Sequence, residues 1–286
     1  MTILDLAQLY VSSRALSGSY SAEILRTARR FQATNGSHDI SQIGPLQISQ
    51  FLQSIIRHTA NRHTQWHYIA HLAILLRFAK ELRLIAEIPP LPKITKPHKT
   101  PKAWNEDDFR RLYALANTLD GRVGVQLARI WWPSLIATAY HTASRIGALL
   151  SVRWCDIDFA RSIIVIRAEN TKTKREQLFQ LPLYVVTKIK AMEWPKRELV
   201  WEWPHTRRWF FRRFRQILRI ANLEPPHNAR FSLFHQIRRT AATVAAQQLG
   251  IHAAQTLLGH TSARITIEHY IDPSLAGRSV ILPSLE

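Results

Sequence analysis

Between residues 88 and 104 the chain reads IPPLPKITKPHKTPKAW. Five prolines at that density forbid a regular element, because each removes a backbone N–H, fixes φ and restricts the residue before it. The segment shows no periodic apolar face and carries Lys93, Lys96, Lys99 and Lys102. It is therefore expected to be an extended basic linker, residues 88–103, between an N-terminal domain (1–87) and a C-terminal domain (104–286).

Both flanking parts read as helical. Apolar residues recur at helical spacing in SAEILRTARRFQAT, in QISQFLQSIIRHTA and in the long QWHYIAHLAILLRFAKELRLIAE, which carries the pattern up to the prolines. After the linker, NEDDFRRLYALANTL opens on Asn105 as an N-cap with acids in the first turn, where they complement the helix dipole. The helical pattern is expected to be interrupted once, by a β-hairpin at 161–183, where β-branched runs flank a polar Glu-Asn-Thr turn. The fold class is thus mainly α, in two domains, the second with a small hairpin.

Charge narrows the partner. Lys and Arg number 39 against 20 acids, a net +19, and the excess is present in both parts. A surface so basic suits a polyanion, and nucleic acid is favoured over anionic membrane because cations near phosphates release condensed counterions. The one cysteine, Cys155, excludes an internal disulfide framework and a cysteine-based zinc cluster. The start, MTILDLAQLYV, has no basic leader, and the apolar run ARIWWPSLIATAY is broken by Pro133 and too short to span a bilayer. No membrane association and a cytoplasmic location are expected.

Three separated segments carry chemistry: TASRIGALLSVRWCDID (142–158), HQIRRTAATVAAQQLG (235–250) and LLGHTSARITIEHYID (257–272). In order and interval they resemble the Arg, His-x-x-Arg, Leu-Gly-His and Tyr boxes of the tyrosine recombinases, the phage integrase family. The likeness covers about the last two-thirds of the chain, and the preceding helical region is similar in size and placement to that family's core-binding domain. Attack on a phosphodiester gathers charge on two non-bridging oxygens, which guanidinium groups suit by charge and shape. The resemblance assigns these to Arg145 and Arg238. His235, three residues before Arg238, shares its helical face and is a candidate general base. His260 follows Gly259, the expected cap of a helix, and the family's residue here donates to the scissile phosphate.

Tyr270 occupies the family's nucleophile position, forming a 3′-phosphotyrosine that conserves bond energy, so no cofactor, ATP or metal is implied. Tyr140 and Tyr184 are expected to be core rings. A hairpin lysine protonates the leaving oxygen in the family. Lys172 is preferred here by the Lys-Thr-x-Arg-Glu form, and Lys174 is the alternative. Two departures stand out: the acid often found three after the first arginine is Ala148, and the usual Gly-Leu-Arg is Ala143-Ser144-Arg145.

Beyond the boxes, HTRRWFFRRFRQILR sets Arg208, Arg212 and Arg215 on a basic helical stripe opposite Phe210, Phe214 and Ile217, a candidate phosphate-contacting face together with the linker lysines. His63, His67 and His71 recur at a spacing able to hold zinc, but no carboxylate or cysteine completes a set, so no metal is assigned. The resemblance implies a site-specific recombinase acting on double-stranded DNA as a homotetramer at specific recombination sites. The rivals are a type IB topoisomerase-like relaxing enzyme and a degenerate DNA-binding protein.

Overall fold

The computed structural model describes residues 1–96, 100–171, 173–192, 197–223 and 233–276. The chain divides into two compact units, Met1–Lys99 and Thr100–Glu286.

The first unit contains α1 (Ile3–Ser12), α2 (Gly18–Asn35), α3 (Pro45–His58) and α4 (Arg62–Glu81). Local chemistry sets the helix starts. Thr2 and Asp5 form a reciprocal capping box, Pro45 occupies the first turn of α3, and Asn61 accepts from the His63 N–H at 3.0 Å. Ile24, Phe31, Phe51, Leu72, Leu75 and Leu76 fill the core.

Helix α4 ends six residues short of the expected run. Arg83 turns left-handed (φ 59°) and the Leu84 N–H reaches back to the Ala79 carbonyl at 2.9 Å, a Schellman-type stop that lets Leu84 and Ile85 pack against the core. The proline segment departs from expectation as well. Ile88, Leu91 and Ile94 pack on this core, and their spacing of three is the period of an extended polyproline-like chain, so the segment does have an apolar face.

The second unit begins with α5 (Glu106–Ala116), capped as expected by Asn105, which accepts from the Asp108 N–H at 2.7 Å. A short hairpin follows, β1 (Arg122–Val123) and β2 (Gln126–Leu127), which sequence patterning missed because two-residue strands show no period. Helix α6 (Ala128–Thr142) continues through Pro133. Its own Trp131, Trp132, Leu135 and Ile136 are fully buried in the core, and this packing overrides the local cost of the missing N–H.

Beyond α7 (Ile146–Leu149), strands β3 (Ile157–Asp158), β4 (Ile163–Ile166) and β5 (Gln177–Gln180) make an antiparallel sheet in that order. The β4–β5 pairing, from Ile163↔Gln180 to Ile166↔Gln177, is the expected hairpin. Then come α8 (Leu183–Lys190), α9 (Arg207–Ile220), α10 (His235–Leu249), α11 (Ile251–Leu258) and α12 (Ala263–Tyr270). Phe210, Phe214 and Phe234 join the tryptophans in the main core. A second cluster, built from Ala143, Ala241, Ala242, Ala254, Leu258, Tyr270 and Ile271, joins the end of α6 to α10, α11 and α12. Among the described residues no helix is long and apolar enough to cross a membrane.

Candidate active site

The second cluster brings the three sequence boxes together. Helix α6 ends at Ala143, held left-handed at φ 45°, and the chain reverses so that Arg145 opens α7. The reversal also presents the Ala143 carbonyl to α10, where it accepts a hydrogen bond from Arg238 Nη1. Arg238 Nη2 donates to the Leu258 carbonyl at the end of α11, at 2.8 Å. Two backbone acceptors from different boxes thus hold one guanidinium that is only 2% exposed.

Burial pulls Arg238 down to about 10, and the Arg145 charge acts in the same sense, while Tyr270 opposes both. Its Nε has no hydrogen-bond partner among the described residues. A desolvated cation with donor capacity to spare is built to receive an anion.

His235 is the first residue of α10, one turn before Arg238. Burial pushes its imidazole down to about 3, reinforced by Arg238, Arg239 and Arg145. His260 follows Gly259, which caps α11 in the left-handed conformation (φ 64°) as expected. A side chain at Gly259 would collide with the Gln177 carboxamide at the start of β5, so this turn and the hairpin strand touch.

His260 Nδ1 lies 3.0 Å from the buried Thr266 hydroxyl, and Nε2 lies 3.4 Å from Arg238 Nη2. Guanidinium offers only donors, so Nε2 is the acceptor and the neutral ring carries its proton toward Thr266. Burial, then Arg238 and Arg145, pull His260 down to about 4.

Tyr270 closes the cluster at the end of α12. Its ring centroid lies 4.7 Å from that of His260 and 5.2 Å from that of His235, and the Arg238 Cζ stands 5.1 Å from it. Two ties hold the backbone on either side. The Thr243 hydroxyl donates to the Tyr270 carbonyl at 3.3 Å and accepts from the Asp272 N–H at 3.1 Å. The Asp272 carboxylate accepts from the N–H groups of Ala103 and Ser274, both at 3.0 Å. Tyr270 is therefore a packed ring and also the neighbour of His235, Arg238 and His260.

Arg145, His235, Arg238, His260 and Tyr270 all contribute to this one environment. The other expected residues are placed differently. Lys172 lies outside the described residues, as does Lys99. Lys174 is exposed, with its ammonium 3.3 Å from the Glu169 carbonyl. Lys93 and Lys102 are exposed, whereas the Lys96 ammonium sits 3.1 Å from the centre of the Trp66 ring. Arg208, Arg212 and Arg215 line an open groove of about 1160 Å³ along α9 with Trp209, over whose ring the Arg212 guanidinium stacks at 5.0 Å.

Tyr184 is not a core ring. It is 48% exposed, and its hydroxyl lies 2.7 Å from His141 Nε2; Tyr140 is half-buried, stacked on Phe109. Of the three spaced histidines, His71 is buried with Nδ1 3.1 Å from the Thr27 hydroxyl, and among the described residues no group is placed to hold a metal.

Sequence reasoning missed the supports: the carbonyls of Ala143 and Leu258, and the side chains of Thr266 and Gln177. Backbone acceptors leave no residue-type signal. Arg239, the residue after Arg238, is also half-buried here, and its guanidinium is drawn down by desolvation against the opposing pull of Tyr270.

The phage integrase family model matches residues 102–276, and the chain belongs to that family, the tyrosine recombinases. It is 25% identical over 231 residues to a Pseudomonas syringae protein named for the tyrosine recombinase XerC. That match covers 72% of this chain and 48% of the relative, so the chain spans about half the relative's length. Among solved structures it resembles a lambda integrase (75–356) dimer bound to a COC′ core site, with TM-score 0.74, 18% identity and full coverage of both chains. It also resembles the Tn1549 transposon integrase in complex with a circular intermediate DNA, with TM-score 0.73, 14% identity and coverage of 94% of this chain and 95% of that one. A lambda integrase tetramer bound to a Holliday junction gives TM-score 0.73 at 17% identity, covering 99% and 80%.

Proposed function

We propose that this chain is a site-specific DNA recombinase that cuts and rejoins strands through Tyr270. The observation that carries the reading is the convergence on one phenol of His235, His260 and Arg238, with centres 4.7–5.2 Å from its ring. The phenol oxygen attacks phosphorus and His235 takes its proton, while Arg145 and Arg238 hold the non-bridging oxygens. The bond to the 5′-oxygen breaks, and that oxygen takes a proton from Lys172, with Lys174 as the alternative donor. The product is a 3′-phosphotyrosine, which the reverse attack by a 5′-hydroxyl resolves without ATP or a metal.

Electrostatics fit the sequence of events. In the DNA-free chain His235 is pushed down to about 3 and is therefore neutral, able to accept a proton. A phosphate entering between the arginines offsets the charges that depress both imidazoles and raises their basicity. His260 then protonates and donates to the phosphate. We assign action on double-stranded DNA by four copies at specific recombination sites, in the cytoplasm. Neighbours solved as a dimer on a core site and a tetramer on a junction support this assembly.

The test uses a nicked duplex carrying a site that the chain itself selects from a random-sequence library, so that the cut end diffuses away. A denaturant-resistant protein–DNA adduct should accumulate, with chelator present or absent. Tyr270→Phe removes one hydroxyl at nearly constant volume, so DNA binding should persist while the adduct vanishes. An adduct formed by Tyr270→Phe refutes the assignment. Relaxation of supercoils without exchange between paired sites would instead identify a topoisomerase.

A further inference from the structure

Gly147 is the second residue of α7, two after Arg145. A β-carbon there would stand 2.8 Å from Arg207 Nη2 and 3.4 Å from Nη1, so the Arg207 guanidinium lies against the Gly147 backbone and would have to shift for any larger residue. Arg207 opens α9, is exposed, and has no carboxylate partner among the described residues. Three acids of this unit are paired with other arginines: Asp156 with Arg167 at 2.6 Å, Glu198 with Arg153 at 3.1 Å, and Glu202 with Arg197 at 3.5 Å. Ala148, the next residue, supplies no carboxylate either.

The turn that carries Arg145 therefore bears a second guanidinium and no counter-charge. Packing like charges together without an anion is unfavourable unless an anion is the intended occupant. One phosphate is already provided for by Arg145, Arg238 and His260. From Arg207 the basic face of α9 leads away through Arg208, Arg212 and Arg215 beside the exposed Trp209. Arg207 thus touches the turn that follows Arg145 and directly precedes, in α9, the first arginine that lines that groove.

We propose that Arg207 is a further DNA-contacting residue of this site, holding the phosphate next to the one under attack, and that Gly147 exists to let it do so. The proposal rests on the strand-transfer reading for which phosphate is cut, and on geometry alone for the contact.

Binding of the full chain to a generic duplex is measured by fluorescence anisotropy across a salt series. Arg207→Gln should lower affinity about three- to tenfold at low salt and make the slope of log affinity against log salt shallower by about 0.9, the signature of one lost phosphate contact. Arg207→Lys should retain the slope. Gly147→Ala keeps every charge but makes the guanidinium tip shift, so its affinity should fall between those of the parent and Arg207→Gln, and the double variant should be no worse than Arg207→Gln. On the nicked duplex, a neutral methylphosphonate placed beside the cut should slow adduct formation about tenfold in the parent and have no further effect in Arg207→Gln. An unchanged slope in Arg207→Gln, parental binding by Gly147→Ala, or an undiminished methylphosphonate effect in Arg207→Gln overturns the proposal. If the parent forms no adduct, the strand-transfer reading fails, while the salt slopes still judge the contact.

Discussion

Replacing Arg238 with Met separates the part this side chain plays in folding from its part in chemistry. Burial holds the guanidinium down to about 10 from 12.5. At 1.36 kcal/mol per pH unit, that shift corresponds to about 3 kcal/mol held against the charged form in the fold. Met fills a similar volume without the charge and relieves that strain. It also leaves the carbonyls of Ala143 and Leu258 without their donor. An unsatisfied buried acceptor costs about 1–3 kcal/mol, so the two together cost about 2–6 kcal/mol. The net destabilisation should lie between nothing and about 3 kcal/mol, a fall in melting temperature of no more than about 12 °C. Adduct formation should fall at least about 10²-fold, the usual effect of removing one oxyanion donor. Calorimetry of the DNA-free chain and single-turnover trapping on the nicked duplex measure the two effects. A variant that fails to fold, or loses more than about 5 kcal/mol, would show that Arg238 is primarily a structural ion. One that cleaves at the parental rate would remove it from the site.

Gly259→Ala should destabilise by about 1–3 kcal/mol in urea unfolding, since alanine at φ 64° pays about 1–2 kcal/mol and its methyl meets Gln177. Gln177→Ala in that background should recover only the steric share, and a parental midpoint for Gly259→Ala would contradict the turn. The imidazoles of His71, His235 and His260 should titrate below 6.5 in NMR spectra of the DNA-free chain. Their folded-state values are depressed, so the stability they contribute is complete above about 6.5 and is lost as pH falls toward about 4 for His260 and about 3 for His235. Midpoints at or above 6.5 would contradict the packing.

Elements governed by neighbours in sequence were legible. Asn105 and the acids behind it announce α5, and the i, i+3 spacing of His235 and Arg238 places both on one face of α10. Elements governed by distant partners were not. Pro133 reads as a break, yet tryptophan packing carries α6 through it. The apolar run after Glu81 reads as more helix, yet Leu84 folds back on the core instead of adding a turn. The site follows the same division. The groups proposed to react are residue types and can be found by spacing. What holds Arg238 is a pair of main-chain carbonyls, and what Gly259 in the His260 turn lies against is the amide of Gln177, eighty-two positions earlier in the chain, neither of which a sequence pattern expresses.

Tyr270 finds His235, Arg238 and His260 in its own chain, with α12 folded back onto α10 and α11. These four groups of the proposed site thus meet within one chain. Tyr270→Phe and Arg238→Met chains made in one cell should therefore fail to complement each other. Either one, expressed beside the parent, should interfere by filling places in the assembly with copies that bind DNA and never cut it.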